Sequence, residues 1–117
     1  MILVVDDDDQ TRRLIMGALE RSGYTTLGAP NGLEALRTLE KSPEVRLVCS
    51  DGQMPCLDGP GLFRELQRRF PEVGFVAVTG SEPAQAFFKA CGQEFLAKPF
   101  MPPELSALIA RNYRSAF

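Results

Sequence analysis

The chain has 117 residues, of which 44% are hydrophobic and 24% charged, a composition typical of one globular domain. Its net charge of -2 provides no general attraction to nucleic acid or to an anionic membrane surface, so we expect neither partner. The absence of histidine excludes catalytic triads, histidine metal clusters and phosphohistidine relay sites. Any phosphoryl chemistry must therefore use carboxylates and a metal.

The apolar runs and the cysteines indicate where the protein works. The longest apolar run, Met1 to Val5, is far too short to span a bilayer and lacks the flanks of a signal peptide. The cysteines, Cys49, Cys56 and Cys91, are odd in number and widely spaced, which favours free thiols over a disulfide framework or a zinc site. Both observations predict a cytoplasmic protein.

Short apolar runs alternate with stretches of helical spacing along the chain. The predicted strands are Ile2 to Val5, Thr25 to Ala29, Leu47 to Cys49, Phe75 to Val78 and Phe95 to Ala97. The predicted helices are Thr11 to Arg21, Gly32 to Lys41, Gly61 to Phe70, Ala84 to Ala90 and Pro103 to Tyr113. This (βα)₅ order predicts a single α/β domain over residues 1–117, with a doubly wound parallel sheet.

Two local signals predict where helices begin. Asn31 followed by Glu34 resembles a capping box, and Asp9 is placed to cap the first helix.

Chemically useful side chains follow four of the predicted strands. Asp6 and Asp7 follow the first, Asp51 the third, Thr79 the fourth and Lys98 the fifth. Ligands of such sheets sit beyond the carboxyl ends of the strands, so these side chains should converge. Clustered carboxylates repel unless a cation neutralises them, and Mg²⁺ is the hard, oxygen-preferring candidate, for which Mn²⁺ could substitute.

Each of these residues also has a plain structural interpretation. A carboxylate or hydroxyl after a strand, such as Asp6, Thr79 or Ser81, is often a helix cap, and a lone Lys98 is often a solvated surface residue. Independent caps do not require acids after two strands, a hydroxyl after another and a lysine before proline after the last. The conjunction therefore favours a phosphoryl-transfer site.

With these residues in this order, the sequence resembles the receiver domains of two-component response regulators. The segments that carry the resemblance are ILVVDDDDQTRRLI, LVCSDGQMPCLDG, FVAVTG and FLAKPF, which span nearly the whole chain. The resemblance implies a flavodoxin-like sheet with strand order 2-1-3-4-5. It also implies that Asp51 is the phosphoacceptor, in the family's Asp-x-x-Met-Pro-x-x-Asp-Gly pattern.

The same resemblance assigns roles to further residues. Asp6 and Asp7 match the acidic metal pair, Asp6 acting through water, and the backbone carbonyl of Gln53 completes the metal ligands with Asp51. Thr79 is the switch hydroxyl, Lys98 the phosphoryl-binding lysine and Phe95 the aromatic switch. Gln53 and Ser81 would tune hydrolysis of the phosphoryl group, and the Lys98-Pro99 peptide would be cis. Compared with typical members of this family, the segment from Thr79 to Lys98 is about one helical turn shorter, which predicts a stunted or irregular fourth helix.

The resemblance also implies a partner, a histidine kinase or a histidine phosphotransfer protein, and a signalling role rather than that of a conventional enzyme. The oligomeric state stays open, a homodimer included, as does the choice between a stand-alone regulator and the receiver of a hybrid histidine kinase. The adjacent Phe87 and Phe88 cannot both face one core from a regular helix, so either one is an exposed partner contact or the short helix lets both pack.

Two alternatives remain open on the residues alone. A haloacid-dehalogenase-like phosphatase would use the Asp-x-Asp within Asp6 to Asp8, but Gln10 is not its usual Thr or Val, and the chain leaves no room for a cap domain. A pseudo-receiver would keep the fold as an interaction module without phosphorylation. The complete set of acids, threonine and lysine argues against it.

Overall fold

The computed structural model describes residues 1–113, along which strands and helices alternate; residues 114–117 of the predicted domain lie outside this range. The strands are β1 (Ile2–Val5), β2 (Thr26–Ala29), β3 (Leu47–Ser50), β4 (Gly74–Thr79) and β5 (Phe95–Ala97). The helices are α1 (Asp9–Arg21), α2 (Gly32–Lys41), α3 (Gly59–Arg69), α4 (Glu82–Cys91) and α5 (Pro102–Asn112).

All five strands form one parallel sheet in the order β2-β1-β3-β4-β5, which confirms the predicted fold. The three central strands are buried along their whole length, whereas β2 and β5 at the edges are partly exposed. A parallel strand covered on both faces reads as a continuous apolar run, which is why the central strands are the plainest elements in the sequence.

The helices cover the two faces of the sheet unequally. One core joins α1 and α5 through Ile15, Leu19, Leu105, Leu108 and Ile109, and these residues pack on Ile2 and Val4 of β1. The other core joins α2, α3 and α4, and it contains the aromatic residues Phe63, Phe75 and Phe88. Alternate residues of each strand point to opposite faces, so both cores draw on the same strands.

The register of the central strands places the site. Val5 of β1 is aligned with Ser50 of β3, so Asp6 and Asp51 leave the sheet side by side. Thr79 of β4 is aligned with Ala97 of β5, and Lys98 follows directly.

The beginnings of three helices, α2, α3 and α4, are set by side chains that cap them. Asp58 and Ser81 accept hydrogen bonds from the backbone N–H groups of Gly61 and Ala84. Asn31 accepts from the Glu34 N–H as predicted. The other half of the predicted box is absent among the described contacts, because the Glu34 carboxylate pairs with an arginine, Arg37, on the same helix.

The prediction that Asp9 caps α1 was wrong by one residue. Asp8 is the N-cap, and Asp9 is the first helical residue. The Asp8 carboxylate accepts the Thr11 hydroxyl instead of a backbone N–H, and this bond holds the pKa of Asp8 below its ordinary value.

The prediction of an irregular fourth helix was also wrong. α4 is a regular helix of 10 residues, the same length as α2. Gly92 ends it in the left-handed conformation with φ of 71°, and the N–H of the next residue bonds back to the Phe88 carbonyl at 2.9 Å. The short segment therefore accommodates a full helix because the glycine lets the chain turn at once into β5.

Candidate functional site

Three carboxylates converge at the carboxyl edge of the sheet. Asp6, Asp7 and Asp51 each offer an oxygen that lies within 4.8 Å of the others. Asp6 is buried, Asp7 is exposed and Asp51 lies between them in exposure. The Lys98 ammonium reaches the cluster from the end of β5, 3.2 Å from Asp6 Oδ2 and 3.7 Å from Asp51 Oδ1.

Asp6 is the most tightly held of the three acids. Its Oδ1 accepts the Asp8 N–H at 2.9 Å, and its Oδ2 accepts the Lys98 ammonium at 3.2 Å. Its backbone carbonyl accepts an N–H of the Arg12 guanidinium at 2.8 Å. Every oxygen of this buried residue therefore has a donor, as a buried carboxylate requires.

Asp51 is held at one oxygen only. Its Oδ1 accepts the Gly52 N–H at 2.7 Å and faces the Gln53 N–H at 3.5 Å. Among residues 1–113, no hydrogen bond reaches its Oδ2. Burial raises the pKa of Asp51 above its ordinary value and the nearby Asp6 adds to the rise, while Lys98 and the backbone N–H groups oppose it. The result is a carboxylate with one oxygen available for chemistry.

Thr79 lies at the end of β4, next to the loop that carries Asp51. It is fully buried, and its hydroxyl oxygen accepts the Ser81 N–H at 3.0 Å. Gly52 packs directly against it, since a Cβ on this glycine would lie 2.6 Å from Thr79 Oγ1. The Thr79 carbonyl accepts two bonds, from the Lys98 N–H at 3.1 Å and from the Gln85 side chain at 2.9 Å. This residue therefore connects the acceptor loop, β5 and α4.

Phe95 lies on the same sheet face as Thr79. It is aligned with Ala77, two residues before Thr79 on β4, and is partly buried against the core under α2, α3 and α4. The structure thus places Phe95 next to the strand end that carries the threonine, on the side covered by α4. The Lys98-Pro99 peptide bond at the other end of β5 is cis.

Phe87 and Phe88 both pack against Phe63 of α3, and Phe88 also packs against Phe75 of β4. Phe88 is fully buried, and Phe87 is partly buried with its ring edge-on to Phe63 at 6.2 Å. The Arg64 guanidinium lies 4.9 Å from the centroid of the Phe87 ring and covers it. Of the two alternatives for this pair, the structure favours packing of both rings.

The donor set of the acidic cluster fits a hard divalent cation. Because both side-chain oxygens of Asp6 are already bonded, Asp7 and Asp51 are the acids with oxygens free for direct ligation. Mg²⁺ suits such a site, since it binds one or two carboxylates and keeps several waters. The Gln53 residue that would complete the ligands is exposed in the same loop.

The buried thiol under the site has no role in this chemistry. Cys49 lies on β3, two residues before Asp51, and burial raises its pKa to about 12. Cys49, Cys56 and Cys91 are all free thiols.

Sequence reasoning missed three residues that shape the site. Arg12 bonds the Asp6 carbonyl, Gln85 bonds the Thr79 carbonyl and Gly52 lets the acceptor loop approach Thr79. The spacing of Arg12 from Asp9 signals an ion pair on one helix. No sequence pattern indicates the backbone contacts, because those depend on how the helices pack on the sheet.

Comparisons with known proteins agree with this geometry. A family model described as the response regulator receiver domain matches residues 2–110. The sensor kinase CckA of Brucella abortus is 38% identical over 92% of this chain, which spans 12% of that kinase. The chemotaxis protein CheY1 of Helicobacter pylori is 32% identical, with 89% of each chain covered.

A solved structure extends the likeness to three dimensions. The response regulator protein TrrA of Thermotoga maritima, in complex with Mg²⁺-BeF, is similar with a TM-score of 0.85 at 27% identity. The match covers 94% of this chain and 96% of that one.

Proposed function

Because the chain belongs to the response regulator receiver domain family, we propose that Asp51 accepts a phosphoryl group from a phosphohistidine of a partner protein. Receiver domains are signalling modules and not conventional enzymes. The observation that carries the proposal is the convergence of Asp6, Asp7 and Asp51 with Lys98, in which Asp51 keeps a free carboxylate oxygen. Residues 1–117 contain no histidine, so the phosphohistidine that donates the group must lie outside this segment.

The transfer is a displacement at phosphorus. A carboxylate oxygen of Asp51 forms a bond to the phosphorus while the bond from phosphorus to the imidazole nitrogen breaks, and that electron pair returns to the imidazole. The product is an acyl phosphate on Asp51. Later attack by water on the phosphorus breaks the bond to Asp51 and restores the carboxylate.

The acidic cluster is proposed to hold Mg²⁺, with Asp7, Asp51 and the Gln53 carbonyl as ligands and Asp6 acting through water. Bound Mg²⁺ would supply neutralisation of the charge shared by carboxylate and phosphoryl oxygens. Support comes from the two free carboxylates and from the Mg²⁺-BeF bound by the similar TrrA. Asp6 meanwhile fixes Lys98 within reach of a group on Asp51.

The response to phosphorylation is proposed to pass through Lys98, Thr79 and Phe95. Lys98 would move from Asp6 to a phosphoryl oxygen, and the Thr79 hydroxyl would donate to another. The Thr79 hydroxyl accepts the Ser81 N–H, so moving it loosens the turn between β4 and α4. Phe95, on the same sheet face, would then occupy the space that Thr79 leaves. Gln53 and Ser81, on the two loops beside Asp51, would tune hydrolysis.

A partner carrying the phosphohistidine is proposed to dock beside Lys98. An apolar cleft of about 550 Å³ lies between α1 and the start of α5, and Lys98 is part of its lining. The exposed Leu14, 72% accessible, lines this cleft, and the exposed Met101, 66% accessible, lies in the chain between two lining residues, Phe100 and Pro102. A helical segment of a histidine kinase or histidine phosphotransfer protein fits such a surface.

The cellular setting is part of the proposal. None of the helices in residues 1–113 is long and apolar enough to cross a membrane. We propose a cytoplasmic domain, and the similarity to the CckA kinase makes a hybrid histidine kinase a candidate parent protein.

The decisive experiment is labelling with a small phosphodonor. Wild-type protein incubated with Mg²⁺ and acetyl phosphate should gain one phosphoryl group by intact mass, and the Asp51→Asn variant should gain none. Asp58→Asn is the matched control, because Asp58 is an exposed acid of the same loop and asparagine caps a helix equally well. Equal labelling of Asp51→Asn would sink the assignment.

Measurements of Mg²⁺ binding and of phosphomonoester hydrolysis, added to the labelling, separate the two alternatives. A pseudo-receiver would leave the wild type unlabelled and without Mg²⁺ binding. A phosphatase of the haloacid-dehalogenase type would hydrolyse a phosphomonoester in Asp51→Asn and lose that activity in Asp6→Asn. The structure argues against the phosphatase, since both side-chain oxygens of Asp6 are engaged in hydrogen bonds.

A further inference from the structure

Arg12 is a partly buried cation beside the acidic cluster, and the proposed chemistry does not use it. Its guanidinium donates from Nη1 to the Asp6 carbonyl at 2.8 Å and pairs through Nη2 with the Asp9 carboxylate. The side chain is 16% exposed, whereas the neighbouring Arg13 is exposed to solvent. Its stem lies against β2, where a Cβ on Gly28 would sit 3.2 Å from Arg12 Cδ.

The contact with Asp6 lies where the chain leaves the sheet. The Asp6 N–H still bonds to the Ala29 carbonyl of β2 at 3.1 Å, but the next residues turn into α1. The Asp6 carbonyl is therefore bonded by a side chain at the point where the strand ladder stops. Arg12 thus links the end of β1 to the first turn of α1, on either side of Asp7.

We propose that Arg12 is a positioning residue for cation binding. Its guanidinium holds the loop from Asp6 to Asp9 in the conformation that directs the Asp6 and Asp7 carboxylates toward Asp51. The inference rests on the proposed function, because it concerns the cation that the acidic cluster would bind. No direct contact of Arg12 with the cation is involved.

When Arg12 is removed, a positioning role and simple electrostatics predict changes of opposite sign in the affinity for Mg²⁺. A positive charge near a cation site opposes binding, so removal of an arginine should by itself strengthen Mg²⁺ binding. Loss of an outer partner that orients the ligands should weaken it, typically by about ten-fold or more. The sign of the change therefore distinguishes the two effects.

The experiment is calorimetric titration of the purified chain with Mg²⁺ alone. We expect Arg12→Met to weaken binding by about ten-fold and Arg12→Lys, which keeps the charge and one donor, by less. Arg13→Met is the matched control, since it removes the same charge from the next residue of α1 and should leave binding equal or slightly stronger. Thermal unfolding in a chelator sets a temperature at which every variant is folded.

Each outcome has a clear meaning. Unchanged or tighter Mg²⁺ binding by folded Arg12→Met overturns this inference and leaves the proposed function standing. Absence of Mg²⁺ binding by the wild type overturns both. If Arg12→Met does not fold, Arg12→Lys tests the inference instead. A Mg²⁺ affinity of Arg12→Lys equal to that of the wild type would contradict a role for the two contacts of the guanidinium, with Asp6 and Asp9.

Discussion

The loop after β1 and the loop after β3 bring carboxylates to the same edge of the sheet but hold them differently. In the first loop, Asp6 has a donor for each of its oxygens and its side chain is 2% exposed. In the second, Asp51 is bonded at one side-chain oxygen and is 12% exposed. Asp6, the more deeply buried acid, thus accepts hydrogen bonds at both carboxylate oxygens, whereas Asp51 accepts them at one.

Under the proposed function, this difference separates an acid that organises the site from the acid that reacts. Each carboxylate oxygen of Asp6 already accepts a hydrogen bond, whereas Asp51 Oδ2 accepts none among the described residues. Asp51 is desolvated without full compensation, and its raised pKa reflects this. The proposed phosphoacceptor is therefore the acid with one carboxylate oxygen lacking a hydrogen bond, and Asp7, the proposed cation ligand, is exposed.

The largest expected effect concerns metal affinity within the first loop. Asp7→Asn removes a proposed direct ligand and should weaken Mg²⁺ binding by more than about 100-fold, whereas Asp6→Asn removes a proposed outer partner and should weaken it by about ten-fold. Titration calorimetry with Mg²⁺ measures both. Asp8→Asn, the loss of an exposed neighbouring charge, controls for simple electrostatics. Equal losses for Asp6→Asn and Asp7→Asn would erase the distinction between the two acids.

A smaller effect concerns the stability of the metal-free protein. The pKa of Asp51 is raised above its ordinary 3.8, so the neutral carboxyl is favoured in the folded state. The contribution of the neutral Asp51 carboxyl to the free energy of unfolding is fully present below pH 3.8. It is lost as the pH rises through the raised pKa of Asp51 in the folded state. Asp51→Asn should therefore match the wild type in acid and be more stable than the wild type near pH 7.

Thermal unfolding in a chelator across this pH range measures the divergence. Asp58→Asn again serves as the control in the same loop, and it should show no comparable gain toward neutral pH. A constant difference between Asp51→Asn and the wild type at every pH would show that burial of the charge is not the cause.

The smallest expected effect concerns backbone strain in the second loop. Cys56 has φ of 71°, the left-handed conformation that favours glycine, and it is the one non-glycine residue with positive φ in residues 1–113. Cys56→Gly relieves this strain, partly offset by the greater freedom of glycine in the unfolded chain, and should stabilise the protein by about 0.5 kcal/mol.

Chemical denaturation measures this change. Cys56→Ala is the matched variant, because it also removes the thiol but keeps the Cβ that disfavours the conformation. A gain in Cys56→Ala as large as that in Cys56→Gly would assign the effect to the thiol and not to the backbone.

Much of the fold and the meeting of the acids were predictable from the chain. The buried strands read as continuous apolar runs, and the carboxyl ends of neighbouring parallel strands must meet, so Asp6 and Asp51 had to be close. The N-cap of α1 was misplaced by one residue because Asp8 and Asp9 are chemically alike, and which one caps depends on the loop geometry. The regularity of α4 was missed because Gly92 was not recognised as its stop.

The sequence by itself determined the alternation of elements, the five-stranded sheet and the set of acids, threonine and lysine at its edge. Periodicity and residue type are properties of the chain, and parallel topology converts them into proximity. The tertiary structure alone decided how each acid is solvated: that Arg12 and Lys98 satisfy Asp6, and that Asp51 keeps an oxygen free. Those contacts join residues from different elements, so they exist only once the helices have packed on the sheet.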